Sequence, residues 1–127
     1  MKFLLDTHLL LRAALGTLSI QARTIVLDGD NTLYFSPVSI WEVVIKKNFG
    51  RADFDFDPGV LHRSLLENQY RELPVTSRHA LAVYGLPEIH RDPFDRILLA
   101  QAVTEGIPLL TSDRTLREYP VSVVFVS

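Results

Sequence analysis

Short apolar runs alternate along this chain with longer segments whose apolar residues recur at helical spacing, and turn residues separate the two. A chain built of strand, helix and strand again returns each strand parallel to the last, so repetition of the unit predicts a parallel sheet covered by helices on both faces. Strands are predicted at Lys2–Leu5, Leu33–Phe35, a short one through Leu73, Pro108–Leu110 and Val121–Val126. Helices are predicted over Thr7–Leu15, Ser19–Leu27, Pro37–Phe49, Gly59–Asn68, Thr76–Tyr84, Pro93–Glu105 and Asp113–Tyr119. Pro37 and Pro93 suit the first position of a helix, while Gly50 and Gly106 suit the position after its end. The stretch RADFDFDP at 51–58 reads as a loop. No repeat, low-complexity tract or linker divides the chain, which predicts one domain over residues 1–127, long enough to bury roughly two-thirds of its unfolded surface.

Composition excludes several kinds of protein. With 47% hydrophobic and 22% charged residues the chain lacks the signature of disorder. Cysteine is absent, so a disulfide framework and a thiolate metal site are both impossible, and any metal must use oxygen or imidazole ligands. That pattern suits the cytoplasm. The opening MKFLLDTHLLLRAALG has the leucines of a signal peptide, but Asp6 and Arg12 interrupt the apolar run that a signal or membrane span requires, so it reads as a strand feeding a helix. A net charge of −2 excludes a protein that grips nucleic acid by charge alone, though a metal or a local basic patch could still hold phosphate. There is no phosphate-binding glycine loop, dinucleotide fingerprint or nucleophile elbow around Ser36, Ser39 or Ser112. His8, His62, His79 and His90 form no pair at zinc spacing and are read as structural or surface residues. Trp41, Phe94 and the neighbouring valines have helical spacing and are read as core.

Four acids occupy equivalent places in this pattern. Asp6 follows the first strand in LLDTH, Glu42 lies early in a helix in SPVSIWEVVIKK, Asp95 opens a helix in HRDPFDRILLAQA, and Asp113 follows a strand in PLLTSD. Such positions lie at the carboxyl ends of parallel strands, where open α/β sheets bind ligands, so the four acids can share one cleft. Each also admits a plain structural reading. Asp6 can cap the helix that Thr7 begins, and Ser39 with Glu42 matches a capping box, provided the helix does not start at Pro37. Asp92 before Pro93 reads as the cap of its helix, and Asp113 competes with Ser112 for another cap. Capping and metal binding are compatible, because a helix N-terminus favours the ionised carboxylate. Four converging carboxylates repel one another, and a divalent cation removes the conflict; Mg²⁺ or Mn²⁺ suits an all-oxygen site.

Setting those four acids aside turns the net charge of −2 into +2. Lys46, Lys47, Arg51, Arg91, Arg96 and Arg114 lie near the acids or on their helices, and Lys46, Arg51, Arg96 and Arg114 are the candidates for contact with a phosphate backbone. The alternative for each is ordinary solvated surface.

The motifs LLDTH, S-x-x-S-x-W-E with Lys46, H-R-D-P-F-D-R with A-Q-A, and L-L-T-S-D, in this order over nearly the whole chain, resemble the PIN-domain ribonucleases, specifically the VapC-type toxins of bacterial toxin-antitoxin pairs. The resemblance implies a three-layer α/β/α PIN-like fold with a small, mainly parallel central sheet. It also implies a Mg²⁺-dependent endoribonuclease in which Mn²⁺ can substitute, a cognate antitoxin, an RNA substrate and a homodimer. By motif, Asp6, Glu42, Asp95 and Asp113 match the family's catalytic and metal-binding acids, with Thr7 and Ser112 placed to support metal or water. Arg12 stands where this subgroup often has an aromatic residue.

Metal-assisted hydrolysis of RNA is the reading these residues support. Two others are a PIN-like module that binds RNA or protein without cutting, and a phosphoryl-transfer domain with Asp6 as nucleophile. The second lacks its D-x-D arrangement, since His8 occupies the second position.

Overall fold

The structure is a computed structural model and describes residues 1–127. Five strands, β1 (Lys2–Leu5), β2 (Thr32–Phe35), β3 (Arg71–Glu72), β4 (Leu109–Thr111) and β5 (Val123–Phe125), form one sheet in the order β3-β2-β1-β4-β5. Every neighbouring pair is parallel. Six helices connect them: α1 (Thr7–Leu15), α2 (Ile20–Leu27), α3 (Pro37–Asn48), α4 (Pro58–Glu67), α5 (Ser77–Ala82) and α6 (Pro93–Glu105).

Side chains of a strand alternate between faces, and the two halves of the core follow that alternation. Phe3 and Leu5 of β1, Leu33 and Phe35 of β2 and Leu110 of β4 pack with Leu9, Leu10, Ala22, Val43, Leu61 and Leu65 from α1 to α4. Leu4 and Leu109, one residue out of phase, pack on the opposite face with Leu98, Leu99 and Ala102 of α6 and with Leu116 and Tyr119. The α/β/α layering predicted from the sequence is therefore present, as is the parallel sheet.

From β1 the chain proceeds outward through β2 to β3, then returns across the sheet to β4 and β5 on the other side of β1. Right-handed crossovers require the connecting helices to change face when the direction reverses, and they do. The reversal leaves a crevice between the carboxyl ends of β1 and β4.

Several predicted elements differ in detail. Pro108–Leu110 shifts to Leu109–Thr111, because Leu109 and Leu110 pair with Leu4 and Leu5 while Pro108 has no N–H to give. The expected helix over Asp113–Tyr119 is a 3₁₀ turn over Arg114–Glu118, and Thr76–Tyr84 divides into α5 and a 3₁₀ turn at Val83–Gly85. The loop at 51–58 contains a 3₁₀ turn, Ala52–Phe54, that buries Phe54 completely. Gly50, with φ +74, follows the end of α3, and Gly106 closes α6 at φ +66, a left-handed conformation that glycine adopts without strain. No single helix is long and apolar enough to cross a membrane. The bent pair α1 and α2 would suffice by length and composition, but Leu9, Leu10, Leu11 and Ala22 are spent on the core.

Candidate active site

At the crevice, Asp6 leaves β1 and Thr111 ends β4 beside it. The Asp6 N–H donates to the Leu110 carbonyl at 3.1 Å, which continues the β1–β4 ladder by one residue. Asp6 caps α1, as the sequence allowed: its Oδ1 accepts the Leu9 N–H at 2.9 Å. Its Oδ2 accepts the Thr111 hydroxyl, and Thr111 Oγ1 in turn accepts the Asp113 N–H at 3.0 Å. One threonine thus fixes two of the four acids relative to each other. Thr111 was not singled out from the sequence, where it is only the last residue of a predicted strand's flank. Asp113 also caps the 3₁₀ turn through the Thr115 N–H, at 2.9 Å, so Ser112 does not take that role. The Ser112 hydroxyl accepts Arg12 Nη1 at 3.0 Å instead, tying α1 to the loop that carries Asp113.

Glu42 arrives from α3. That helix begins at Pro37 with Ser36 as its cap, Oγ accepting the Val38 N–H at 3.1 Å, so the Ser39–Glu42 capping box does not form. Glu42 lies in the second turn, 2% exposed. Thr7 Oγ1 is 2.6 Å from Glu42 Oε1 and 2.9 Å from Ser39 Oγ. With one proton to give, Thr7 donates to the carboxylate and accepts from Ser39. On the other carboxylate oxygen, Lys46 forms a short ion pair one helical turn away, and its ammonium reaches Asp92 Oδ2 at 3.3 Å. Its charge is absorbed by two acids, which corrects the assignment of Lys46 as a phosphate contact.

Asp92 and Asp95 come from the start of α6. Asp92 Oδ1 accepts the Phe94 and Asp95 N–H groups at 2.8 and 3.2 Å, which makes it the cap. Asp95 faces the crevice, and its Oδ2 is 2.8 Å from His90 Nε2. The same ring nitrogen lies 3.9 Å from Asp113 Oδ2, and one donor atom each of His90, Asp95 and Asp113 lie within 4.8 Å of one another. His90 is thus part of the site, against its reading as structural or surface. Its backbone is pinned by Tyr119, whose hydroxyl accepts the His90 N–H at 2.7 Å and donates to the His90 carbonyl at 3.1 Å.

Two further expectations are corrected. Arg96 is buried, not a phosphate contact: its Nη1 donates to the carbonyls of Pro87 and His90, and its Nη2 to those of Val83 and Leu86. A guanidinium is one of the few groups that can satisfy so many inward-facing carbonyls at once. Trp41 is 58% exposed, not core, and meets Phe94 edge to face. Arg51 is exposed and forked onto Asp53 at 2.9 and 3.1 Å, while Arg114 stands exposed next to Asp113.

The acids share one electrostatic field. Burial raises the Asp95 carboxyl to about 6, and the charges of Asp92, Glu42 and Asp6 add to the rise, while the His90 hydrogen bond opposes it. Burial likewise raises Asp6, against the Thr111 and Leu9 hydrogen bonds, and the Asp113 charge pushes the same way. The donors are carboxylate oxygens and one imidazole nitrogen in a site with excess negative charge, a set that fits Mg²⁺ or Mn²⁺.

The sequence matches the family model of the PIN domain over residues 3–121. The chain belongs to the PIN-domain family. A search of curated proteins by sequence finds no match. Among solved structures, a chain of the VapBC2 complex of Rickettsia felis, bound to a promoter DNA fragment, superposes with TM-score 0.71 at 14% identity, covering 99% of this chain and 98% of that one. A chain of DNA-bound VapBC from Salmonella typhimurium gives 0.69 at 14% identity, with 99% and 97% covered. A chain of VapBC-5 from Mycobacterium tuberculosis gives 0.63 at 17%, with 98% and 97% covered. At these identities the likeness concerns the fold.

In this PIN domain Lys46 acts as a resident counter-ion. Burial works against its charge, but the hydrogen bond and charge of Glu42, then of Asp92, hold the ammonium above its ordinary range. Lys46→Met is expected to destabilise the metal-free protein by roughly 1–3 kcal/mol, since it leaves the buried Glu42 carboxylate with only the Thr7 hydroxyl. Saturating Mg²⁺ is expected to restore part of that loss in thermal unfolding. An unchanged midpoint in chelator removes the counter-ion role.

Proposed function

We propose that this PIN domain is a metal-dependent endoribonuclease, the toxin of a toxin-antitoxin pair. The observation that carries the reading is the convergence of Asp6, Glu42, Asp95 and Asp113 in the crevice where the sheet reverses direction, in a chain of the PIN family. Asp6 and Asp95 are the first-choice metal ligands; Glu42 and Asp113 position water or complete a second ion site, and His90 adds a nitrogen donor beside Asp95 and Asp113. Held by these residues, Mg²⁺ or Mn²⁺ would supply Lewis-acid polarisation of a phosphodiester and activation of the attacking water.

The chain's own residues do the rest. Thr111 and the Leu9 N–H fix both oxygens of Asp6, and Thr7 with Ser39 fixes Glu42, so the acids are oriented before substrate arrives. Thr7 thus supports the metal site through Glu42, and Ser112 through the loop of Asp113. Of the four candidate phosphate contacts, Arg51, shared with Asp53, and Arg114 are exposed and able to guide an RNA backbone. The VapBC complexes among the structural neighbours support a cognate antitoxin as partner. Homodimerisation and a cytoplasmic setting belong to the same reading.

Incubation of the pure protein with mixed RNA tests it. Fragments are expected with Mg²⁺ and none with chelator. A gel shift without fragments overturns the nuclease in favour of a binding module, and an acid-labile phosphoprotein overturns it in favour of phosphoryl transfer to Asp6.

A further inference from the structure

Trp41 is a large rigid aromatic side chain left 58% exposed on α3, the helix that carries Glu42 into the crevice. It precedes Glu42 in α3, and its ring meets that of Phe94, which stands between Asp92 and Asp95 at the start of α6. The ring centroids are 5.2 Å apart and the planes are 73° from parallel. In such an edge-to-face pair at least one face of the indole stays uncovered by its partner, whichever ring supplies the edge. The Lys46 ammonium, held by Glu42 and Asp92, lies 5.5 Å from the Phe94 ring centre, so the aromatic pair is one side chain removed from the acids. Trp41 also borders an open hollow lined by Pro37, Val44, Pro58, His62 and the acidic Glu72.

The charge distribution makes this aromatic surface matter. Lys46 is neutralised by two acids, Arg96 is buried under four carbonyls, and Arg51 is forked onto Asp53. Arg91 and Arg114 remain exposed beside Asp92 and Asp113 without an acid partner, a small cationic surface for a polyanion, so stacking has room to add to the affinity for RNA. Stacking on an exposed aromatic face supplies such affinity with little regard to sequence, and only an unpaired base offers its face, since bases in a duplex are stacked on one another.

We propose that Trp41, braced by Phe94, is the platform on which an unpaired nucleobase next to the scissile phosphate stacks, and that it is the residue that selects single-stranded over duplex RNA. The inference rests on the nuclease reading for its substrate. Phe94 braces the indole, which borders the hollow at Pro37 and Val44.

Trp41 is the sole tryptophan of the chain, so intrinsic emission reports on this position alone. The test uses the Asp95→Asn background in Mg²⁺, with a short randomised single-stranded RNA and a hairpin duplex of equal length as probes. The single strand is expected to quench the emission saturably and the duplex to leave it unchanged. By anisotropy of the labelled single strand, Trp41→Ala is expected to weaken binding about 5- to 150-fold, with Trp41→Phe recovering most of it. In the otherwise native protein Trp41→Ala raises KM for single-stranded RNA more than it lowers kcat. Equal quenching by duplex, or single-strand affinity unchanged in Trp41→Ala, overturns the proposal. So does emission that changes with protein concentration alone while RNA has no effect, which assigns the face to a second copy of the chain. If Mg²⁺-dependent fragments never form but the single strand still quenches and Trp41→Ala still loses affinity, stacking stands and the nuclease reading falls. Fragments formed equally from single strand and duplex by native and Trp41→Ala proteins sink stacking alone.

Discussion

Replacing Asp95 by asparagine is expected to abolish RNA cleavage in Mg²⁺ while making the metal-free protein more stable. The two effects share one cause. Asp95 sits among Asp92, Glu42 and Asp6 in a buried site, and its carboxyl is raised to about 6 from an ordinary 3.8. A group whose folded pKa is raised is disfavoured as the anion, so its ionisation lowers stability as pH rises from about 4 to about 6, and the full loss persists at pH 7. Asparagine removes the charge, keeps an acceptor for His90 and is expected to add on the order of 1–3 kcal/mol at pH 7 in chelator, a gain that fades below pH 4. The same change deletes a metal ligand under the proposed mechanism, and cleavage is expected to fall at least about a hundredfold. Asp6→Asn is expected to lose cleavage equally but without the gain in stability. Asparagine offers one acceptor oxygen where Asp6 uses two, so either the Leu9 N–H or the Thr111 hydroxyl loses its partner. Cleavage assays beside thermal unfolding in chelator check both variants. Full activity in either refutes the metal-ligand assignment, and a lower midpoint for Asp95→Asn refutes the account of repulsion.

Arg96→Met is expected to be among the most destabilising single changes away from the hydrophobic core. The guanidinium joins the carbonyls of Val83, Leu86, Pro87 and His90 and lies 3.3 Å from the Tyr119 hydroxyl. Methionine fills much of the volume but leaves those acceptors without a donor, at a cost of roughly 3 kcal/mol or more. Lysine keeps the charge yet cannot span both pairs of carbonyls, so Arg96→Lys is expected to recover less than half of the loss. The segment 83–90 is the approach to His90, so the metal-binding constant should weaken along with the unfolding midpoint. Were Arg96 instead a surface phosphate contact, both variants would unfold like the native protein and differ only in the salt dependence of RNA binding.

The fold was largely legible because strand and helix carry different apolar periods here. Lys2–Leu5 and Val123–Phe125 lie inside predicted strands, and α1 and α6 have their predicted bounds, set by Asp6 and Asp92 as caps and by Gly16 and Gly106 as stops. The placement of the acids was legible for a related reason: Asp6 and Asp113 follow strands, Asp95 opens a helix and Glu42 lies one turn into another, and in a parallel sheet those positions converge. His90 was not, because its partner Asp95 is five residues away across a turn into a helix, a spacing with no metal-site signature. Arg96 read as surface because nothing local announces four carbonyls contributed by residues 83–90. Trp41 was misjudged for a more general reason. The face of α3 turned inward includes Ser39 and Glu42 as well as Val38 and Val43, so polarity does not distinguish the buried stripe from the exposed one where the interior is itself a polar site.

Both margins of the sheet are abbreviated. β3 contributes two residues and β5 three, and Arg117 lies over the Phe125 ring at 4.7 Å. A rim with so few open amide and carbonyl groups is a poor template for adding strands from another polypeptide. Strand-by-strand addition is therefore disfavoured at both margins, and the lateral growth that leads to fibrils is discouraged from the outset.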